Sequence, residues 1–336
     1  MIILFSEALI LSFLTSLGLI YISHKFKIFM DYADESRPQN FHTAITPRAG
    51  GISILAGLLF YLGLPFGSTL FFSVLLAFGS GIFEDFHRSL SPKFRLLLQM
   101  GAAFSAIILT DAVVTYLGLG IYLPYWLGMI FSIFAIAGMM NAINIIDGFN
   151  GLASGVVLLI LLSFSFTTYQ QQNSELLSVI IVTTGATIGF FITNFPKGKI
   201  FLGDGGAYLL GFIIAIIGIF LASKYTGVSP WYVLAVFIYP VWEVLFSMIR
   251  KTSMGRSPMQ PDNLHLHMLI YRQITHNNPK TALFILLSLT PFITLSTLYP
   301  NKSNTNIAIA LFFIISYSLL YRYLYHKDQT SQTTIV

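Results

Sequence analysis

Long apolar stretches separated by short polar segments run through almost the whole chain. A bilayer core of about 30 Å needs about 20 apolar residues in each helix that crosses it. The pattern therefore predicts eleven candidate membrane-spanning helices, at roughly 2–22, 50–66, 68–84, 95–112, 122–141, 151–169, 177–194, 206–223, 230–249, 281–299 and 305–325. We expect an all-α, polytopic integral membrane protein with about 10–11 transmembrane helices, the lower number applying if a short stretch is re-entrant.

Composition supports this interpretation. The chain is 55% hydrophobic and 9% charged, with a mean hydropathy of +0.77, whereas a soluble protein carries about 25% charged residues. The chain has no cysteine, which excludes disulfides, thiolate metal sites and thiol nucleophiles. The first stretch lacks a basic leader and a cleavage pattern, so we interpret it as a retained span.

The distribution of Lys and Arg predicts the orientation. With the N-terminus outside, all but two of the 18 Lys and Arg residues fall in the inner segments or at their edges, the exceptions being Lys224 and Lys302. This positive-inside bias predicts a cytoplasmic C-terminus, and it explains the high pI without a nucleic-acid partner. We expect a single transmembrane domain over 1–326, followed by a loosely held polar cytoplasmic tail over 327–336. All seven histidines share the inner side. Eight acids of the inner loops do so too, namely Asp31, Asp34, Glu35, Glu84, Asp85, Asp147, Asp204 and Asp262.

One inner segment, NAINIIDGFNGLASG at 141–155, ends a charge-free run. Its polar residues Asn141, Asn144 and Asp147 are three apart, which places them on one face of a helix. Gly148 and Gly151 then allow a sharp bend or the close approach of a ligand. The alternative interpretation is a polar helix end with a glycine stop.

Acidic residues mark two further inner segments. Glu84 and Asp85 end an apolar run, and adjacent carboxylates suit a divalent cation, or one metal ligand beside one base. The alternative is a surface pair bridged to a nearby cation. Asp204 lies between glycines at the start of an uncharged helix, where its carboxylate could instead cap that helix.

Basic residues and histidines occupy the remaining inner segments. Arg48 precedes a glycine pair that opens a helix, and helix N-termini attract phosphate; contact with anionic lipid headgroups is the alternative. Arg256, His265 and His267 lie in one long segment, where phosphate contacts are favoured over a zinc pair because zinc-binding histidines on a helix are usually four apart. Glu243, inside a span, is expected to pair with an arginine of an inner loop.

Together these loops bring acids, cations and histidines to one face, a composition suited to Mg²⁺ and a diphosphate. The chain has neither a GxxxxGK[ST] nor a GxGxxG motif, so nothing indicates a soluble nucleotide-binding domain.

Five motifs in order resemble those of the polyprenyl-phosphate N-acetylhexosamine-1-phosphate transferases, a family of the glycosyltransferase family 4 type that includes the phospho-MurNAc-pentapeptide transferase. The motifs are PRAGG (47–51), the ED–KFRLLLQ block (84–99), NAINIIDGFNGLASG (141–155), NFPKGKIFLGDGGAYLLGF (194–212) and GRSPMQPDNLHLH (255–267). The resemblance implies transfer of a sugar-1-phosphate from a UDP-N-acetylhexosamine to undecaprenyl phosphate at the cytoplasmic face of a bacterial inner membrane, with release of UMP. It also implies a need for Mg²⁺, or Mn²⁺ in its place, and it leaves a homodimer open.

The resemblance also assigns roles to residues. It implies that Asp204 binds the metal, together with Asp85, and that Glu84, Asp85 and Asp147 are catalytic. Residues expected to bind substrate are Arg48, Asn141, Asn144, Gly148, Asn194, Phe201, Arg256, His265 and His267.

The chain departs from the family pattern at four positions, which are Glu84 for Asp, Asn150 for Asp, Met268 for His and Glu243 for Asp. Its last motif resembles the undecaprenyl-phosphate GlcNAc-1-phosphate branch more than the phospho-MurNAc-pentapeptide branch, which is the first alternative. A lipid or nucleotide-sugar transporter is the second. Transporters often carry internal repeats and charges near the midplane, and neither is visible in this sequence.

Overall fold

A computed structural model describes residues 1–31, 45–86, 90–257 and 262–333. The helices are α1 (Ile2–Phe26), α2 (Gly50–Gly57) continued by a 3₁₀ segment (Leu58–Gly63), α3 (Pro65–Asp85), α4 (Pro92–Thr110), α5 (Tyr125–Ile146), α6 (Leu152–Gln170), α7 (Ser174–Asn194), α8 (Gly203–Lys224), α9 (Pro230–Val236), α10 (Ile238–Ser253), α11 (Leu266–Ile270) continued by a π-helical turn (Tyr271–Thr275), α12 (Asn278–Leu298) and α13 (Ser303–Thr333). Two short antiparallel ribbons, β1–β2 (Met30–Asp31 with Thr46–Pro47) and β3–β4 (Tyr116–Gly118 with Ile121–Tyr122), complete the fold.

Each predicted hydrophobic stretch is helical, so the all-α polytopic fold is confirmed. Within the described ranges, nine helices are long and apolar enough to cross a membrane. The predicted 230–249 stretch is instead a pair, α9 and α10, bent by 76° at the junction. The predicted 50–66 stretch is the shorter apolar helix Gly50–Gly63, about 24 Å long by helix geometry.

Helix α8 is the centre of the bundle. Almost every residue from Gly205 to Leu221 is buried, because this helix is apolar on all sides and α2, α3, α5 and α6 surround it. Its two ends define the two ends of the molecule, which we call the Asp204 end and the Lys224 end.

The predicted gathering of acids on one face agrees with the structure for those residues that are described. Asp85, Asp147 and Asp204 interact at the Asp204 end, whereas Asp34 and Glu35 lie outside the described residues. At the Lys224 end, the Lys224 ammonium lies 3.0 Å from the carboxylate of Asp111. The bundle therefore places the candidate chemistry at one end.

Helix α13 extends into the segment predicted to be a polar tail. Helix α13 has 31 residues, about 46 Å of helix, which exceeds the bilayer core of about 30 Å. Asp328, within the predicted tail, is buried and ion-paired with Arg272 at 3.0 Å. The tail begins as a packed extension of α13 because a carboxylate in it has a partner.

Candidate functional site

Backbone hydrogen bonds join two of the sequence motifs. Phe201 donates its N–H to the Pro47 carbonyl at 2.8 Å, and Gly50 donates to the Phe201 carbonyl at 2.9 Å. The start of α2 therefore lies directly beside the start of α8. This pairing brings Arg48 next to Asp204, although 156 residues separate them in sequence.

Asp204 is the carboxylate on which the side chains of this end converge. Arg48 donates from Nη2 to Asp204 Oδ1 at 2.8 Å, and Asn144 Nδ2 donates to the same oxygen at 3.1 Å. Arg95 Nη1 lies 3.5 Å from Asp204 Oδ2 and 3.5 Å from Glu84 Oε2. Two guanidinium groups and an amide thus converge on Asp204 from three parts of the chain. Guanidinium groups gathered in this way suit the binding of phosphate oxygens.

Asp85 holds the start of α8 in place. Its Oδ1 accepts the Asp204 N–H and its Oδ2 accepts the Gly205 N–H, both at 2.9 Å. Gly203 adopts φ 76°, and a Cβ there would lie 2.7 Å from the Asp85 oxygens. Asp85, not Asp204, therefore caps α8, and the Asp204 carboxylate is left to face Arg48 and Arg95.

The predicted polar face of α5 divides between two partners. Asn144 reaches Asp204, whereas Asn141 donates to Gln99 Oε1 of α4 at 2.7 Å and to the Ala137 carbonyl at 2.8 Å. Both donors of the Asn141 amide are used within the protein. These contacts link α5 to α4, and substrate binding through the Oδ1 acceptor of Asn141 stays a prediction.

Asp147 follows the last residue of α5 and is half-buried. Burial raises its pKa to about 7, an effect that Arg48 opposes and the negative charge of Asp204 reinforces. Within the described ranges, no hydrogen bond to the Asp147 carboxylate is formed. The ionised form of Asp147 is therefore destabilised by burial and by the charge of Asp204. Its carboxylate oxygens accept no hydrogen bond from the described residues and could bind a cation.

Two predicted nucleotide-binding positions have structural contacts. Asn194 accepts the Gly151 N–H at 2.6 Å and donates to the Ile200 carbonyl at 2.8 Å, so its side chain ties two loops together. Phe201 pairs through its backbone with Pro47. A Cβ at Gly148 would lie 3.4 Å from His267 Nε2. The loop after α5 therefore lies against the segment that contains His267.

We call the segment 262–275, which contains α11 and the π-helical turn, the histidine loop. His265 Nδ1 lies 2.9 Å from Glu243 Oε1, and the rings of His265 and His267 are stacked with centroids 5.4 Å apart. The expectation that Glu243 pairs with an arginine is wrong, since its partners are His265, the Leu266 N–H and the hydroxyl of Tyr317. Arg250 pairs instead with Asp262, at 2.8 Å.

His267 is fully buried, and neither ring nitrogen has a hydrogen-bond partner among the described residues. Burial lowers its pKa to about 4, which the charge of Glu243 opposes. His267 is therefore neutral near pH 7 and can donate one hydrogen bond without adding charge. The Arg256 side chain, by contrast, is exposed, and the described part of the chain shows no bond to it.

The depressed pKa of His267 predicts a pH-dependent stability. Between pH 6.5 and about 4 the unfolded chain binds a proton that the folded chain rejects, so stability falls as pH falls through this window. At pH 5 the loss is about 2 kcal/mol. Lowering the pH from 7.5 to 5 should therefore reduce the Tm of the wild type in detergent more than it reduces the Tm of His267→Asn. A difference that does not change with pH would contradict the buried neutral state.

Sequence reasoning gave little weight to Arg95 and Gln99. They are four apart on α4, so they share a helix face, and they reach Asp204 and Asn141 respectively. Their spacing within the KFRLLLQ motif was the available signal, but the sequence does not show which way that face points.

A family model described as glycosyl transferase family 4 matches residues 68–222. This range contains Asp85, Asn144, Asp147 and Asp204, and the histidine loop lies beyond it. A Bacillus subtilis protein described as a probable undecaprenyl-phosphate N-acetylglucosaminyl 1-phosphate transferase is 28% identical over 275 residues, covering 77% of this chain and 75% of the relative. A Streptococcus agalactiae phospho-N-acetylmuramoyl-pentapeptide-transferase is 28% identical over 267 residues, with coverage of 70% and 78%. A Mycobacterium leprae decaprenyl-phosphate N-acetylglucosaminephosphotransferase is 27% identical over 324 residues, with coverage of 80% and 77%.

Proposed function

Because this chain belongs to glycosyl transferase family 4, we propose that it transfers a sugar-1-phosphate from a UDP-N-acetylhexosamine to undecaprenyl phosphate. Its homologues are polyprenyl-phosphate hexosamine-1-phosphate transferases of the GlcNAc and MurNAc-pentapeptide types. The product would start a lipid-linked surface glycan, such as a cell-wall polysaccharide, lipopolysaccharide or O-antigen.

The observation that carries this proposal is the arrangement around Asp204. Arg48, Arg95 and Asn144 converge on this carboxylate at the end of a buried helix. Phosphoryl transfer depends mainly on positioning and on stabilising charge. Guanidinium groups bind phosphate oxygens in a planar, bidentate geometry, so Arg48 and Arg95 are suited to orient a diphosphate.

The donor set fits Mg²⁺, the cofactor we propose, with Mn²⁺ as a substitute. Mg²⁺ is usually bound by one or two carboxylates, with substrate phosphates and water completing its shell. Asp204 and Asp147 supply two carboxylates whose charges interact, and the described residues contain no larger metal-binding group of Asp, Glu and His. We favour Asp147 over Asp85 as the second ligand, since both Asp85 oxygens already accept backbone N–H groups. The ion would offset negative charge that develops on the phosphoryl oxygens.

In the proposed reaction, a phosphate oxygen of the lipid attacks the β-phosphorus of the UDP-sugar. The new P–O bond forms as the anhydride bond to the α-phosphate breaks, and UMP leaves with the electron pair. A phosphomonoester has a second pKa of about 6, so it is largely ionised at neutral pH and a strong base is not required. Glu84, whose Oε2 lies 3.5 Å from Arg95 Nη1, would accept any remaining proton.

UDP-GlcNAc is the first substrate to test, because the RSPMQPDNLHLH motif lacks the adjacent histidines of the pentapeptide branch. Purified protein in nanodiscs with undecaprenyl phosphate and Mg²⁺ should release UMP from UDP-GlcNAc, scored against UDP-MurNAc-pentapeptide and other UDP-N-acetylhexosamines. Uptake of the nucleotide sugar into sealed proteoliposomes without UMP release would favour the transporter alternative instead.

We further propose that the Asp204 end faces the cytoplasm, with the N-terminus outside. The native chain has no cysteine, so single cysteines at opposite ends of α12 report the orientation. We expect an impermeant thiol reagent to label Asn301→Cys in intact spheroplasts and Lys280→Cys after lysis alone; both side chains are exposed. The reverse pattern would invert the topology.

A further inference from the structure

One face of α13 lies against the histidine loop. Tyr317, Tyr321 and Tyr325 are four residues apart and therefore share a helix face. Their rings are stacked, with successive centroids 6.3 Å and 6.0 Å apart. Asp328, three residues further on, continues the same face.

The first contact of this face orients His265. Tyr317 donates its hydroxyl to Glu243 Oε2 at 2.9 Å. The other oxygen, Oε1, accepts from His265 Nδ1 at 2.9 Å and from the Leu266 N–H at 3.1 Å. With Nδ1 bound to Glu243, the His265 ring has a fixed orientation, and the Tyr317 hydroxyl fixes the carboxylate that holds it.

The second contact closes the loop. Asp328 accepts from Arg272 Nε and Nη2, both at 3.0 Å, and from Gln273 Nε2 at 2.8 Å. Arg272 Nη1 donates to the Asn263 carbonyl at 2.9 Å. One bidentate ion pair therefore connects α13 to both the beginning and the end of the histidine loop.

Between these contacts, the Tyr321 ring lies 6.0 Å from the Arg250 guanidinium, which is paired with Asp262 at the start of the loop. All three contacts come from one helix face, and Asp328 and Tyr317 are both almost fully buried. Such buried, charge-assisted bonds are expensive to leave unmade.

We propose that the Tyr317–Asp328 face of α13 sets the position of the histidine loop, with Tyr317 and Asp328 as positioning residues for the use of the sugar nucleotide. The contacts stand by themselves, whereas the link to the sugar nucleotide rests on the proposed function. A segment outside the matched family range thereby controls the geometry of the site.

Hydrogen exchange followed by mass spectrometry tests the structural part. The full-length protein in nanodiscs would be compared with Asp328→Asn, Tyr317→Phe and the control Tyr323→Phe, whose side chain lies exposed on the same helix. We expect peptides covering 262–276 to exchange about tenfold faster in the first two variants, the effect of one lost hydrogen bond to a charged group. Peptides of α8 should be unchanged in all three. Unchanged exchange of 262–276 in both variants would overturn the proposal, whatever their activity.

Kinetics test the functional part. The KM for the UDP-sugar should rise about tenfold in Asp328→Asn, the effect of one lost charge-assisted bond, while the KM for undecaprenyl phosphate stays constant. The conservative variant Asp328→Glu keeps a carboxylate for Arg272 and Gln273 and leaves the bond from Arg272 to Asn263 intact. Its KM for the UDP-sugar should stay near the wild-type value. Faster exchange with an unchanged KM in Asp328→Asn, or a KM in Asp328→Glu as high as in Asp328→Asn, overturns the positioning role. Faster exchange in a protein whose wild type releases no UMP overturns the proposed function alone.

Discussion

Asp204→Asn is expected to lose at least about 100-fold in UMP release, comparable to removing one electrostatic partner of a transition state. The amide is neutral and a poorer ligand for a hard cation. It also removes the nearest of the carboxylates around Arg48, which lies 2.8 Å away. The variant should fold, because Asp85 and not Asp204 caps α8.

Asp111→Asn is the matched control for this experiment. Asp111 is also an acid paired with a cation, but its partner is Lys224 at the opposite end of the bundle. Its UMP release and its dependence on Mg²⁺ should equal those of the wild type. Wild-type turnover in Asp204→Asn at limiting Mg²⁺ would remove Asp204 from the metal site.

Gly81→Ala is expected to destabilise the protein by about 1–3 kcal/mol, the usual effect of overpacking, and to abolish activity. A Cβ at Gly81 would lie 2.4 Å from the Asp204 carbonyl carbon and 2.6 Å from the Gly205 nitrogen. Both are backbone atoms that a side-chain rotation cannot move. Helix α3 would have to withdraw from α8, and Asp85, one turn along the same face, would lose its two bonds to the α8 backbone.

Gly79→Ala, two residues earlier in α3, separates this effect from the helix propensity of alanine. A Cβ at Gly79 meets nothing within 4 Å, and alanine favours a helix over glycine by up to about 1 kcal/mol. We expect an unchanged or slightly raised Tm and normal UMP release. Equal Tm values for the two variants would show that α3 and α8 are not in close contact at Gly81.

The fold could be predicted from the sequence because the bilayer imposes a length and a composition on each helix. The hydrophobic stretches contained the nine helices of the described ranges that are long and apolar enough to cross a membrane. The charge count predicted that Asp147 and Asp204 share one face. What hydrophobicity could not show was the bend between α9 and α10, because an apolar stretch looks alike whether its helix is straight or broken.

Side-chain partners were much less predictable. Asn141 and Asn144 have the same side chain on the same helix face, yet the first binds Gln99 and the second Asp204, because α4 and α8 approach α5 at different heights. Asp85 as the cap of α8 joins positions 119 residues apart. Glu243 was assigned an arginine partner because of charge alone, whereas the packing of α11 supplied a histidine. Such choices depend on which helices become neighbours, and no local pattern records this.

The central position of α8 has a consequence for the response of the protein to its lipid environment. Lipid chains contact the outer helices, which respond to a thicker or thinner bilayer by tilting, with an energetic cost for each ångström of mismatch. Helix α8 is enclosed by other helices, and Arg48 and Asn144 hold the Asp204 carboxylate at its end. The surrounding helices thus absorb the mismatch by tilting. The distances from Asp204 to Arg48 and Asn144 should change less with membrane thickness than distances between the outer helices.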